Sequence, residues 1–155
     1  MSPGIIDQHA WLYRLIGRWR GSEVMSQTPW AAAGEAESLV EAELALGGAF
    51  LFQDYRQSRD GAPSFAARSV FGLGKTAGQA LMYHFDTMGF MPTAPAAGAI
   101  EGDELVFTRH SPRGRGQHRF TFDGDGTYRL TLLFAPPDGL WSPVMTGHYQ
   151  SIPST

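Results

Sequence analysis

Apolar and polar residues change rhythm once along this chain. Between Gln8 and Ile16 the apolar positions Trp11, Leu12, Leu15 and Ile16 recur at helical spacing. Asp7 is placed to cap that helix, Ile6 to meet Trp11 as a hydrophobic staple, and Gly17 to end it. Beyond Trp19 the period falls to two, in short runs broken by Gly47-Gly48, Asp60-Gly61-Ala62-Pro63, Gly102-Asp103, Asp123-Gly124-Asp125-Gly126 and Pro136-Pro137-Asp138-Gly139. Strands are predicted over residues 18–26, 34–44, 49–58, 64–73, 79–86, 97–101, 104–110, 117–123, 127–135 and 143–151. With short turns and no helical crossovers, the expected fold is all-β: a roughly ten-stranded antiparallel up-and-down barrel with one short N-terminal helix, closed so that no edge is left unpaired.

Gly17-Arg18-Trp19-Arg20-Gly21 stands where helix gives way to barrel. The two glycines permit a tight start against the helix, and Trp19 is expected to plug one barrel end with its indole N–H still able to reach a partner. One hairpin can be paired from its pattern. A loop over residues 111–116 would set Phe107 opposite Phe120, Leu105 opposite Phe122 and Arg109 opposite His118, all facing inward and joined by Tyr128, Leu130 and Leu132. Val106, Thr108, Arg119 and Thr121 would then face out. Glu35, Glu37, Glu41 and Glu43 alternate along one strand and are expected to face water. The stretch Thr87 to Ala97 is the longest without periodicity, and its Met, Phe and Pro suit either a pocket cover or a packed connection.

The length of 155 residues fits a single domain spanning 1–155. A charge of −3 gives no global attraction to nucleic acid, and the absence of cysteine removes disulfides and thiolate chemistry. No apolar run reaches the roughly 18 residues of a membrane span, and the N-terminal residues lack the pattern of a signal peptide, so a cytoplasmic location is expected. Eleven of the twelve basic residues are arginine and asparagine is absent, a composition that suits a bacterial source.

The chemistry is less distinct. His9, His84, His110, His118 and His148 form no metal-ligand spacing. His84 and Asp86 share one strand face, as an oriented imidazole or as solvent decoration. Gly72-Leu73-Gly74-Lys75-Thr76 ends like a phosphate loop but lacks the earlier glycine and the following helix. The basic run from Arg109 to Gly116 reads as a solvated hairpin tip, and no Gly-x-Ser-x-Gly elbow marks a serine nucleophile. Tyr55, Arg68, Tyr83, Arg109 and His118 are the candidate ligand-binding residues, on the condition that they face inward.

His9-x-x-Leu12-x-x-Leu15-Ile16-Gly17-x-Trp19-x-Gly21, Leu46-Gly47-Gly48-Ala49-Phe50-Leu51 with Asp54-Tyr55, Phe85-Asp86-x-Met88-Gly89 and Asp138-Gly139-x-Trp141 together resemble a bacterial family of unknown function with a calycin-like, lipocalin or nitrobindin type of barrel. The resemblance implies a ten-stranded barrel with an internal cavity. Nitrobindin-type barrels continue to a third glycine, where this chain has Glu23, and hold haem through a last-strand histidine, here His148. The leading expectation is a carrier of a small, mostly apolar, fatty-acid-like ligand with no resident cofactor. The alternatives are an isomerase or decarboxylase type of enzyme using inward Tyr, Arg and His, and a haem protein through His148. No nucleic-acid partner is expected, and the choice between monomer and homodimer is open.

Overall fold

In the computed structural model, residues 8–73, 78–124 and 126–153 are described. A short helix α1 (Gln8–Leu12) runs into a 3-10 turn (Tyr13–Leu15), followed by ten strands: β1 (Gly17–Met25), β2 (Gly34–Ala45), β3 (Phe50–Arg59), β4 (Ala62–Gly72), β5 (Leu81–Asp86), β6 (Ala96–Glu101), β7 (Glu104–Ser111), β8 (Gly114–Gly124), β9 (Thr127–Ala135) and β10 (Ser142–Ile152). Every strand pairs antiparallel with its sequence neighbour, and β1 pairs with β10 from Arg18↔Ile152 to Met25↔Met145, closing the barrel. The ten expected strands are all present, most of their ends within two residues of the expected ones. The helix is shorter than expected because its last turn tightens to 3-10; the capping roles of Asp7 and Ile6, and Gly74 to Thr76 of the phosphate-loop-like string, lie outside the described residues.

The alternation decides which residues meet the interior. Along β1 Trp19, Gly21 and Glu23 are buried while Arg18, Arg20, Ser22 and Val24 are exposed. The glutamates Glu35, Glu37, Glu41 and Glu43 face water as expected. On the β7–β8 hairpin the inward face is the expected one, but the register differs by two residues: Leu105 pairs with Phe120, Phe107 with His118 and Arg109 with Gly116. The turn is tighter than a six-residue loop, because Ser111 Oγ accepts the Arg113 N–H and donates to Gly114 O, and Gly114 at φ 134° re-enters the sheet at once. A slip of two preserves the side-chain face. Val106 and Thr121, on the outward face, are nonetheless buried.

One end of the barrel is filled by rings. Trp19 donates its indole N–H to Leu15 O at 2.9 Å, and its ring meets Tyr128 edge-on at 4.7 Å; Tyr128 stacks on Tyr149 at 4.7 Å. Trp11 packs edge-to-face on Phe122, while Leu12 and Leu15 are wholly buried, so the helix caps this end. Phe71, Phe107 and Phe120 continue the aromatic lining. The opposite end carries the connections 26–33, 60–61, 87–95, 112–113 and 136–141.

The joint between β5 and β6 differs from the rest. It has only the pairs Leu81↔Ala97 and Met82↔Ala96, whereas every other joint carries at least five. Near the helix it is braced by Gln8, whose N–H donates to Gly78 O and whose Oε1 accepts the Ala80 N–H, with Gly98 N–H donating to Ala80 O. From Tyr83 onward β5 has no strand partner on that side among the described residues, and the chain leaves into the 87–95 loop.

Gly21 is required by close approach. A Cβ there would meet Ser38 Oγ and lie 2.5 Å from the Tyr149 ring, which also lies across Gly147. Gly21→Ala is therefore expected to lower stability by about 1–3 kcal/mol through overpacking, read as a lower urea midpoint with an unchanged denaturant slope.

Candidate functional site

Polar side chains gather inside the barrel towards the loop-bearing end, on two walls. On the β1, β2, β3 and β10 wall stands Glu23, 2% exposed. Its carboxylate accepts from Ser38 Oγ at 3.1 Å, Gln57 Nε2 at 3.1 Å, Tyr55 Oη at 2.8 Å and Tyr149 Oη at 2.5 Å. Tyr149 reaches it because its ring runs along the wall over Gly147, the register partner of Glu23. Gln57 Oε1 in turn accepts from Ser64 Oγ. Burial, then the Glu23 charge, push Tyr55, Tyr128 and Tyr149 well above the ordinary phenol range. This knot is satisfied on both oxygens and has no donor to spare for a guest.

The β4, β5, β7 and β8 wall is different. Ser69 Oγ lies 3.0 Å from His84 Nδ1, His84 Nε2 lies 3.1 Å from Asp86 Oδ2, and Asp86 Oδ1 accepts the Met88 N–H at 2.9 Å. A carboxylate only accepts, so the His84 proton sits on Nε2, and Nδ1 accepts from the Ser69 hydroxyl. Burial lowers His84, opposed by the bond to Asp86 and assisted by the Arg109 charge. Burial works against the Asp86 charge, but the bonds from His84 and Met88 N–H outweigh it and hold the carboxyl below its usual range. The His118 ring lies 4.8 Å from that of His84; burial first, then the charges of His84 and Arg109, hold it well below the histidine range. Among the described residues, two buried nitrogens have no hydrogen-bond partner, Arg109 Nε and His118 Nδ1.

The expected site residues separate cleanly. Tyr55, Arg109 and His118 face inward, Tyr55 in the Glu23 knot and the other two in the basic wall. Arg68 and Tyr83 face out: Arg68 pairs with Asp54 on the surface at 2.6 Å and Tyr83 stacks on Phe85. Each sits one residue from an inward position, Ser69 and His84, so parity turns it to solvent. His148 is exposed on the outer wall, opposite Ser22, and does not reach the interior. His84 and Asp86, readable as solvent decoration, face inward instead. Glu23 and Ser69 were missed as site residues. Counting by twos inward from Trp19 reaches Glu23, a signal that a departure from a glycine motif obscured. Concavities of about 370 Å³ beside His148 and Gln150 and about 290 Å³ beside Asp54 and Arg68 open on the outer wall. Among the described residues no group of His, Asp and Glu is arranged to hold a metal ion, and no helix is long and apolar enough to cross a membrane.

A closed ten-stranded antiparallel barrel capped by an N-terminal helix places this chain in the calycin-like, lipocalin-type class. Residues 5–151 match the family described as "Protein of unknown function (DUF1579)", and the chain belongs to that family. No curated protein matches it. Among solved structures it is similar to an S-type phycobiliprotein lyase, CPES, from Guillardia theta, with a TM-score of 0.72 and 11% identity over 97% of this chain and 95% of that one. It is similar to Rv2717c from M. tuberculosis, with a TM-score of 0.72 and 14% identity over 99% of both chains. Identities this low establish the shared fold.

Glu23→Gln would set an amide donor against groups that already donate, and is expected to cost roughly 1–3 kcal/mol, measured by urea unfolding. The depressed histidines predict an acid effect. Below the unfolded value of about 6.5 the unfolded chain binds protons that native His84 and His118 do not, so their contribution is whole above that pH and lost as pH falls towards the folded values. Each adds a slope of up to about 1.4 kcal/mol per pH unit. Unfolding at pH 7, 6 and 5 should show falling stability, with a shallower slope in His118→Gln.

Proposed function

We propose that the barrel binds a small molecule with an acceptor head group, a carboxylate or carbonyl, held by Arg109 and His118. The observation that carries this reading is the pair of buried, unpartnered nitrogens on the basic wall. Buried polar groups are rarely left without partners, and an arginine Nε–H can only donate, so the missing partner is an acceptor. The helix end is filled by rings, which directs the ligand to the loop end. There Met88, Phe90 and Met91 on the 87–95 loop are exposed, adaptable apolar surface for the rest of the guest. Arg113 lies 3.4 Å over the Phe90 ring and ties that loop to the β7–β8 tip.

A fatty-acid-like ligand meets these requirements with the fewest further contacts. That a phycobiliprotein lyase shares the fold gives a precedent for a barrel of this build acting on another molecule. An interior haem would need an axial ligand other than His148. The expectation of a bacterial cytoplasmic protein belongs to the same reading, and the arginine-rich, asparagine-free composition supports the bacterial source.

Titration calorimetry with decanoate and with decanol tests the reading. Decanoate is expected to bind saturably, decanol at least tenfold more weakly, and Arg109→Gln to lose at least tenfold in decanoate affinity, in line with a charge-assisted hydrogen bond. Absence of saturable decanoate binding, or equal binding by Arg109→Gln, would overturn it.

A further inference from the structure

The geometry points to a second capacity on the same wall: we propose that Ser69, His84 and Asp86 form an acyl-transfer relay that hydrolyses small esters with apolar acyl chains. The proposal rests on the basic-wall reading and extends it, since the carboxylic acid released is the kind of molecule assigned to Arg109 and His118.

Three residues from adjacent strands make one hydrogen-bonded line. Ser69 on β4 is the register partner of His84 on β5, so hydroxyl and imidazole project inward side by side, and Asp86 follows two residues later on the same face. Asp86 is itself fixed by the Met88 N–H. Nε2–H to carboxylate leaves the Nδ1 lone pair directed at the serine proton, the sense required of a general base activating a hydroxyl. Sequence order and fold are unlike those of an elbow serine, which is why no motif marks it; such constellations are defined by geometry and roles. Burial of His84 keeps the ring neutral and available as a base.

The remaining requirement is a donor for the oxyanion. Arg109 Nε–H is buried without a partner, and the Arg109 charge acts on His84, Asp86 and His118, which places it in the same cluster. Substrate approaches through the wall beside β5, where pairing with β6 stops at Met82.

The step balances without any outside reagent but water. Ser69 Oγ bonds to the acyl carbon as its proton passes to His84 Nδ1; the carbon–oxygen bond to the alcohol breaks and the leaving alkoxide takes that proton. Water then bonds to the acyl carbon while giving a proton to Nδ1, the Ser69 ester breaks, its oxygen recovers the proton, and a carboxylic acid departs.

Two readouts test this on the intact chain: covalent labelling by an alkyl fluorophosphonate, mapped by peptide mass spectrometry, and hydrolysis of p-nitrophenyl butyrate. Wild type should carry one adduct, on Ser69. Ser69→Ala should lose the adduct and at least a hundredfold in hydrolysis, and should still unfold cooperatively, at a melting temperature lowered by the hydrogen bond that buried His84 loses. Asp86→Asn should slow labelling at least tenfold. An unlabelled wild type, an adduct elsewhere, or hydrolysis by Ser69→Ala at the wild-type rate would overturn the relay. Labelling of Ser69 without decanoate binding would remove the binding reading and leave the relay standing, and decanoate binding without labelling would do the reverse.

Discussion

A carboxylate shut away from water must be given donors, and the way Glu23 obtains them organises the closure of this barrel. Its partners come from β2, β3 and β10, so one buried charge ties the first strand to the last as well as to the two strands that follow it. Tyr149 serves twice: its ring completes the aromatic packing with Tyr128 and its hydroxyl joins the knot. That double use is possible only because Gly21 and Gly147 leave the wall bare beneath the ring. The glycines, the phenol and the carboxylate are one solution to one problem.

The interior is consequently divided by chemistry as well as by height. Rings and leucines occupy the helix-capped end, where nothing polar is wanted except the indole N–H that Leu15 O receives. At the other end an acceptor-centred wall, saturated by its own donors, stands apart from a donor-bearing wall that is not saturated. The saturated wall holds the cylinder shut, and the incomplete one carries the Arg109 and His118 nitrogens on which the proposed binding rests. Surface ion pairs such as Arg68 with Asp54 and Arg129 with Asp123 belong to neither and face solvent.

Strand positions were legible because alternation and turn residues are local signals, and each turn cluster did separate two strands. Facing was legible wherever a run held an unambiguous apolar residue to count from, as on β7 and β8. Register was not, since turn geometry at Ser111 to Gly114 depends on side-chain hydrogen bonds that composition does not disclose. Arg68 and Tyr83 were chosen for residue type before parity, and parity placed them outside. Ser69 carries no local mark at all. Its partner is fifteen residues away and meets it only through the β4–β5 pairing.

The sparse pairing of β5 with β6 has a mechanical meaning. Gln8 clamps that joint at the capped end, so local opening is expected to start from the loop end, like a zip with one end sewn. Because His84 and Asp86 line the free length, a motion that loosens the cylinder there would also uncover these two side chains. A tighter joint there would make a sturdier container with a sealed interior.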